Sequence, residues 1–438
     1  MKATLLLSAV LFCHLSTVVP HPVIADDELK DRLEDEHGQS MPDHWIYNDI
    51  PKGMQLARET GKPLFVTFRC VPCKDCMGFD AVVAAGSKKL ADLTRDNFIC
   101  VRQVEMKNVD LSIFQFDHDL NWAGFFMNGD GTVYARYGTQ SEKGADAYNN
   151  VNGLANAMKR VLELHSNYPS NKQRFAGKLP EPKPWKKPRD MKFLQTKLLN
   201  EAKTSRKNCI HCHNIHDAEH GQWTAEDTFS QDKLWRYPLP ENLGFTMDRS
   251  DGRTITDVAA DSAAAQAGFQ VGQEIDLVNG QSISSIADIQ WVLHHQPNSD
   301  DATLKITLAD GSESRLPLKE GWKVTDISWR GSLYSVSPVI RVWMPPLNSF
   351  DKEKRGLSDQ TNALLVKWIN VGSPSGQAAK KAGLKNGDLV LEFDGKPVAG
   401  NHARFLTQLK LNYKVGETVP LTILRGKKRM QIQLPLVE

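Results

Sequence analysis

The stretch Leu64–Asp80, LFVTFRCVPCKDCMGFD, decides how the first third of the chain is read. Leu64-Phe65-Val66-Thr67-Phe68 is an apolar run of strand-favouring residues and predicts a buried strand. Three cysteines follow, Cys70, Cys73 and Cys76, in two overlapping C-x-x-C units, C-V-P-C and C-K-D-C. A helix is predicted to begin near Cys73, with Met77, Phe79 and Val82 or Val83 on its inner face. A cysteine in the first turn of a helix sits by unpaired N–H groups and the positive end of the helix dipole, and both stabilise a thiolate. The thiolate is the form that attacks a disulfide. A second cysteine one turn later can attack the mixed disulfide and release the product. Three near cysteines can also hold a metal or a structural disulfide, but placement directly after a buried strand favours redox chemistry.

This order of parts resembles a thioredoxin-fold active site. In such folds a short loop separates the strand from the first working cysteine, so Cys73-Lys74-Asp75-Cys76 fits best, with Cys73 as nucleophile and Cys76 as resolving partner. Cys70 is the rival partner, because C-V-P-C carries a proline before its second cysteine. The domain is expected to span 42–169. Asp43 to Glu59 reads as a lead-in and a helix, and Ser87 to Asn97 as a second helical piece. Phe98 to Val104 reads as a second strand, with Cys100 a small buried hydrophobe. Trp122–Met127 and Thr132–Tyr137 flank Asn128-Gly129-Asp130-Gly131, a hairpin signal, and Val151 to His165 supplies a closing helix. Thioredoxin-like chains place a proline just before that hairpin; here the position holds Asn121-Trp122. The departure bears on substrate docking and on keeping metal from the thiols.

The chain has 438 residues, enough for about three domains, and 40% hydrophobic content, ordinary for globular proteins. A net charge of +2 gives no electrostatic case for nucleic acid. Residues 1–25 read as a signal peptide: Lys2, a short apolar core from Leu5 to Phe12, and Val23-Ile24-Ala25 at the expected cleavage site. That core is too short to span a bilayer, and no later segment is apolar enough to do so. Bulky Phe12 before Cys13 argues against a lipid anchor. The expectation is a periplasmic or secreted protein, with its remaining cysteines in an oxidising compartment.

Residues 170–238 read as an exposed linker, rich in Pro, Lys and Asn from Ser166 to Asp190, followed by a helix over Lys192–Thr204. Then comes Cys209-Ile210-His211-Cys212-His213, a C-x-x-C-H attachment signature for c-type haem. Cys209 and Cys212 would form thioethers and His213 would bind the iron, with Met247, His216 and His220 the candidates for a sixth ligand. The alternatives are a zinc site built from Cys209, Cys212, His216 and His220, or a structural disulfide.

The last part of the chain repeats itself. Ala267-Gly268-Phe269-Gln270-Val271-Gly272 recurs as Ala382-Gly383-Leu384-Lys385-Asn386-Gly387, and Ile275 to Gly280 recurs as Val390 to Gly395. The pattern resembles PDZ domains of the HtrA type, here expected over 239–319 and 320–438. The resemblance implies peptide capture by strand addition, with a terminal carboxylate held by a Φ-G-Φ loop. Leu243-Gly244-Phe245 matches that loop in the first copy, and Arg355-Gly356-Leu357, with Gly356 and Leu357, in the second. An aromatic-rich extension with Trp322, Trp329, Tyr334 and Trp343 precedes the second copy and reads as a packed layer or a contact surface. No Gly-x-Ser-x-Gly element or protease domain precedes the repeats.

The fold class expected is therefore multidomain, α/β plus mainly β: a thioredoxin-like domain, a short linker segment and two PDZ-like domains. The whole resembles the thioredoxin-like/PDZ domain-containing (seleno)protein family of planctomycete-type bacteria, in its cysteine form. Some members carry selenocysteine at the position matching Cys73, which implies that this position is the nucleophile. The function expected is an exported thiol–disulfide oxidoreductase whose PDZ repeats bind peptide or protein partners, with a covalent haem passing electrons or sensing redox state. The competing expectation is a non-enzymatic envelope scaffold whose cysteine clusters hold metal or structural disulfides.

Overall fold

Leu64–Arg69 is buried at every position, and it forms the central strand on which the first domain is built. The computed structural model describes residues 26–37, 41–69, 77–85, 87–179, 182–194, 199 and 210–437. The expected signal peptide, Cys70, Cys73, Cys76 and Cys209, and most of the expected helix over 192–204, lie outside the described residues.

After an N-terminal helix α1 (Asp26–His37), the elements run β1 (Trp45–Tyr47), α2 (Ile50–Thr60), β2 (Leu64–Arg69), α3 (Met77–Ala85), α4 (Lys88–Asn97), β3 (Ile99–Gln103), β4 (Trp122–Met127), β5 (Val133–Tyr137) and α5 (Val151–Ser166). The sheet order is β1-β3-β2-β4-β5. β1, β3 and β2 are parallel, and β4 and β5 return antiparallel. Local chemistry sets the joints. Asp49 caps α2 by accepting from Lys52 N, and Gly61, with φ +68°, ends it. Side chains alternate across the sheet. Phe65 and Phe126 join a core with α1, α3 and α5, whereas Val66, Phe68 and Phe125 join a second core on the opposite face.

That second core includes Ile210, Cys212, Ile215 and Ala218. Helix α6 (His213–Ala225), which carries Ile215 and Ala218 and has Cys212 as its N-cap, therefore packs on the first domain and is not a free linker. The expected exposed stretch after α5 is also ordered. Lys172–Lys178 forms a 3-10 turn that buries Phe175 and Lys178, because both face neighbouring domains. Gly177 O accepts from Trp291 Nε1 at 2.9 Å, in the first PDZ domain.

That domain comprises β6 (Phe245–Met247), β7 (Ile255–Val258), α7 (Ala263–Gln266), β8 (Ile275–Val278), β9 (Gln281–Ser282), α8 (Ile286–His294), β10 (Thr303–Leu308) and β11 (Glu313–Pro317). The second comprises β12 (Val342–Trp343), α9 (Ser349–Lys354), β13 (Leu364–Leu365), β14 (Trp368–Ile369), α10 (Pro374–Lys381), β15 (Leu389–Phe393), β16 (Lys396–Pro397), α11 (His402–Asn412), β17 (Thr418–Arg425) and β18 (Lys428–Pro435). Between them Ile327, Leu333 and Val336 cluster with Leu234 and with Leu411 of α11, but the aromatics expected to form a packed layer are not part of it: Tyr334 and Trp343 are exposed, and Trp322 packs on the first PDZ domain. No helix among the described residues is long and apolar enough to cross a membrane.

Helix α8 lies against the open edge of β5. Asp288 accepts from Arg136 N at 3.1 Å, Ser284 N at 2.9 Å and Lys178 Nζ at 2.5 Å. Ser285 Oγ donates to Arg136 O at 2.5 Å, so both backbone groups of Arg136 on the sheet edge are satisfied by the helix. Replacing Asp288 with alanine leaves Lys178 buried without its carboxylate. We expect a loss of about 3–5 kcal/mol and separation of one unfolding transition into two, read by urea unfolding followed through tryptophan fluorescence.

Candidate functional site

β2 ends at Arg69 and α3 begins at Met77, so the three cysteines occupy the connection from the central strand to its helix. The described residues give the floor of that connection. Arg69 on β2, Arg102 on β3, Asp80 on α3 and Trp122 on β4 meet there, all buried. Arg69 Nη1 lies 2.9 Å and Arg102 Nη1 3.3 Å from Asp80 Oδ2. Trp122 Nε1 donates to Asp80 Oδ1 at 3.1 Å. The register sets Trp122 opposite Arg69, beside the last residue before Cys70. Trp122 thus anchors the position where a proline is missing. Phe79, an expected inner-face residue, packs edge-on to Trp122 at 5.0 Å between ring centroids. Val83 is buried and Val82 is exposed.

Two guanidinium groups share this one carboxylate at the end of the central strand, next to Cys70 in sequence. Positive charge near a thiol favours its thiolate. The sequence reading passed over this group. Its signal was present: an arginine at the end of one apolar strand and another inside the next, each needing a buried acid. Cys100 is a buried hydrophobe as expected, and burial pushes its thiol pKa up, away from reactivity.

At the second cluster, Cys212 and His213 stand at the start of α6, and Cys209 lies outside the described residues. His213 Nδ1 lies 3.7 Å from Asp217 Oδ2, beyond hydrogen-bond range. Cys212 is packed in the core on this face of the sheet, and His213 is half-buried. Met247 does not serve as an iron ligand, because its side chain is spent in the core of the first PDZ domain. His216 Nδ1 bonds Asp119 Oδ2 at 3.1 Å, and His220 Nδ1 bonds Ser335 Oγ at 3.0 Å. Among the described residues, the one set of three donor atoms within 4.8 Å of one another is Asp117, Asp119 and His216. Cys212, His216 and His220 do not converge in this way, so the described part of the expected zinc set is dispersed. Arg330 Nη1 already lies 2.7 Å from Asp117 and 3.3 Å from Asp119, and Ser332 N donates to Asp119 at 2.8 Å. That carboxylate pair is already partnered by protein groups. A cavity of about 290 Å³ borders α6 at His216 and Glu219, with Cys212 and His213 outside its walls.

In the first PDZ domain, Gly244 has φ +99°, and a Cβ there would strike Ser262, so the Φ-G-Φ loop needs its glycine. Ala259 N donates to Gly244 O at 2.9 Å. Phe245 and Val258 are then a non-hydrogen-bonded pair, and the N–H and C=O of Phe245 face the other edge of β6. The same pattern recurs in the second domain, but at different residues from those expected. Asn370 N donates to Arg341 O at 2.8 Å, and Val342 pairs with Ile369. The loop equivalent to Leu243-Gly244-Phe245 is therefore Ile340-Arg341-Val342. Gly356 and Leu357 are not in it: they follow α9, in the long connection from β12 to β13. That insertion breaks the constant repeat offset upstream of α10, which is why extrapolation from the repeat misplaced the loop.

A family model described as Thioredoxin-like matches residues 45–129. Two described as PDZ domain match 254–307 and 356–436. The chain carries a thioredoxin-like domain followed by two PDZ domains. Among curated proteins it is similar to a probable periplasmic serine endoprotease DegP-like of Pseudomonas savastanoi pv. phaseolicola, 23% identical over 206 residues, covering 46% of this chain and 40% of that one. A protein of the same description from Marinomonas sp. is 32% identical over 130 residues, covering 29% and 25%. The chain thus spans at most about four tenths of these two relatives. Among solved structures it is similar to the HtrA-type protease AlgW with decapeptide, at 15% identity and TM-score 0.19, covering 31% of this chain and 49% of that one. AlgW with tripeptide gives 14% and 0.20, covering 42% and 58%.

Replacing Asp80 with alanine removes the carboxylate that two buried guanidinium groups share, and we expect a loss of about 3–5 kcal/mol in urea unfolding. Asp80→Asn keeps the Trp122 contact and is expected to cost less. In the second PDZ domain, burial pushes the pKa of His402, beside Trp343, from 6.5 down to about 4. The unfolded chain takes up a proton below about pH 6.5 and the folded chain only near 4. Stability contributed here is intact above pH 6.5 and lost as pH falls toward 4. With allowance for partial solvent contact we expect roughly 2 kcal/mol, and a shallower pH slope in His402→Phe.

Proposed function

We propose that the chain is an exported thiol–disulfide oxidoreductase whose PDZ module holds peptide or protein partners. The observation that carries this reading is the buried Asp80, Arg69, Arg102 and Trp122 group at the end of the central strand of a thioredoxin-like sheet. It fixes both ends of the connection bearing Cys70, Cys73 and Cys76, and its guanidinium groups favour a thiolate there. The periplasmic descriptions of the curated relatives support the same compartment.

In the forward direction the Cys73 thiolate attacks one sulfur of a substrate disulfide. A Cys73–substrate bond forms and the other substrate sulfur leaves as a thiolate. The Cys76 thiolate then attacks Cys73 Sγ, forms the Cys73–Cys76 disulfide and releases the second substrate thiolate. Two electrons pass to the substrate, and a partner dithiol must reduce the pair again. The reverse sequence oxidises a dithiol. A haem, if carried, would be held by Cys209, Cys212 and His213 and would supply one-electron transfer.

The expected results are specific. Mature protein reduces a fluorescent disulfide-linked peptide; Cys73→Ser abolishes this, and Cys76→Ser accumulates a mixed disulfide visible by non-reducing electrophoresis. Cys70→Ser retains turnover. Wild-type activity no greater than Cys73→Ser would end the oxidoreductase reading. Intact mass of protein exported from a strain that attaches c-type haem reads the haem directly, as an increment lost in Cys212→Ser.

A further inference from the structure

The two PDZ domains do not present their grooves alike. In such domains an extended peptide adds beside the strand that follows the Φ-G-Φ loop, with the long helix as the other wall. In the first domain these walls are β6 and α8, and the segment from the end of β5 to the start of α5 touches α8 and the residues that flank β6. Thr139 Oγ1 donates to Gln290 Oε1 of α8 at 2.9 Å. Tyr148 Oη donates at 3.0 Å to Glu241 Oε1, in the turn that opens onto β6, and its ring packs on the core of the PDZ domain. Just beyond β6, Arg249 Nη1 donates to Ala147 O at 3.4 Å. Where α8 meets β5, the space left among Tyr137, Gly138, Tyr237, Ala287 and Gln290 is about 20 Å³. That admits a single water and no peptide side chain. Every residue of α8 from Ile286 to Leu293 is buried.

The second domain differs position by position. Counting from the N-caps Ser285 and Asn401, Arg404 and Gln408 of α11 stand where Asp288 and Val292 stand in α8. The first pair is exposed and the second is buried. Leu406 replaces Gln290, which keeps that wall apolar. Arg341 and Trp343, in the loop and on β12, are exposed. Arg341 replaces Gly244 and sets a guanidinium where a terminal carboxylate would dock.

We infer that the first PDZ domain is an internal clasp whose groove is filled by residues 138–148 of the thioredoxin-like domain, and that peptides with a free C-terminal carboxylate are taken by the second PDZ domain. This rests on the peptide-binding part of the proposed function. The clasp joins the first PDZ domain to the hairpin side of the thioredoxin-like sheet and leaves recognition to β12 and α11.

The test uses the full mature chain and an array of random ten-residue peptides with free C-termini, with calorimetry on the best binder of each chain. Wild type is expected to bind one equivalent, Arg341→Glu to bind at least tenfold more weakly, and Thr139→Ala/Tyr148→Ala to bind a second equivalent at the first domain. Full affinity in Arg341→Glu, or two equivalents in wild type, overturns the inference and leaves the peptide-binding reading standing. Binding by the double variant alone overturns the assignment to the second domain, and one equivalent in a correctly folded double variant overturns the clasp. If the double variant does not fold, Arg341→Glu, a surface change, decides by itself. No binder to either folded chain removes the peptide-binding reading together with the inference.

Discussion

Asp288 holds the first two-thirds of the molecule together. A single buried carboxylate takes a proton donor from the sheet edge at Arg136, from the post-α5 segment at Lys178 and from its own helix start at Ser284. Burial pulls the Lys178 pKa down while Asp288 works to raise it. A charge taken out of water is tolerated when its partners are this complete. Arg136 adds its guanidinium over the Trp291 ring, 3.5 Å from the centroid. The edge of the thioredoxin-like sheet is thereby covered, and the first PDZ domain becomes part of its wall.

A second buried network does the same for the middle of the chain. Asp117 and Asp119 follow the first domain's third strand, Arg330 and Ser332 precede the second PDZ domain, and His216 lies on α6. Burial works to raise the pKa of Asp119, but His216, Arg330 and the Ser332 N–H outweigh it and hold the carboxyl well below its usual range. Helix α6, with Cys212 at its N-cap, is thus pinned to the face of the sheet opposite Phe79 and α3. Cys212 borders the face of the sheet opposite α3.

The two PDZ copies show how one pattern can be put to two structural uses. Their Ala-Gly turns, short helices and following strands superpose in sequence, and the hydrogen bonds from Gly272 N to Ile255 O and from Gly387 N to Val366 O are equivalent. What differs lies outside the pattern. The first copy buries its long helix against a neighbour, and the second turns Arg404 and Gln408 to water.

Much of this was legible in the sequence, for local reasons. The apolar run at Leu64, the Asn128–Gly131 hairpin, the closing helix and the repeated Ala-Gly turns are set by strand propensity, turn chemistry and periodicity, which act over a few residues. The three-residue strand β1 and the order in the segment after α5 were not legible, because Trp45, Phe175 and Lys178 are buried only by residues distant in the chain. The Φ-G-Φ equivalent at Ile340-Arg341-Val342 escaped because strand register, and not residue identity, defines it. The sequence by itself determined which elements form and that three cysteines fall between the central strand and its helix. Only the tertiary structure decided which charges are paired in the interior and which PDZ groove stays open, because both depend on long-range contacts that no local pattern encodes.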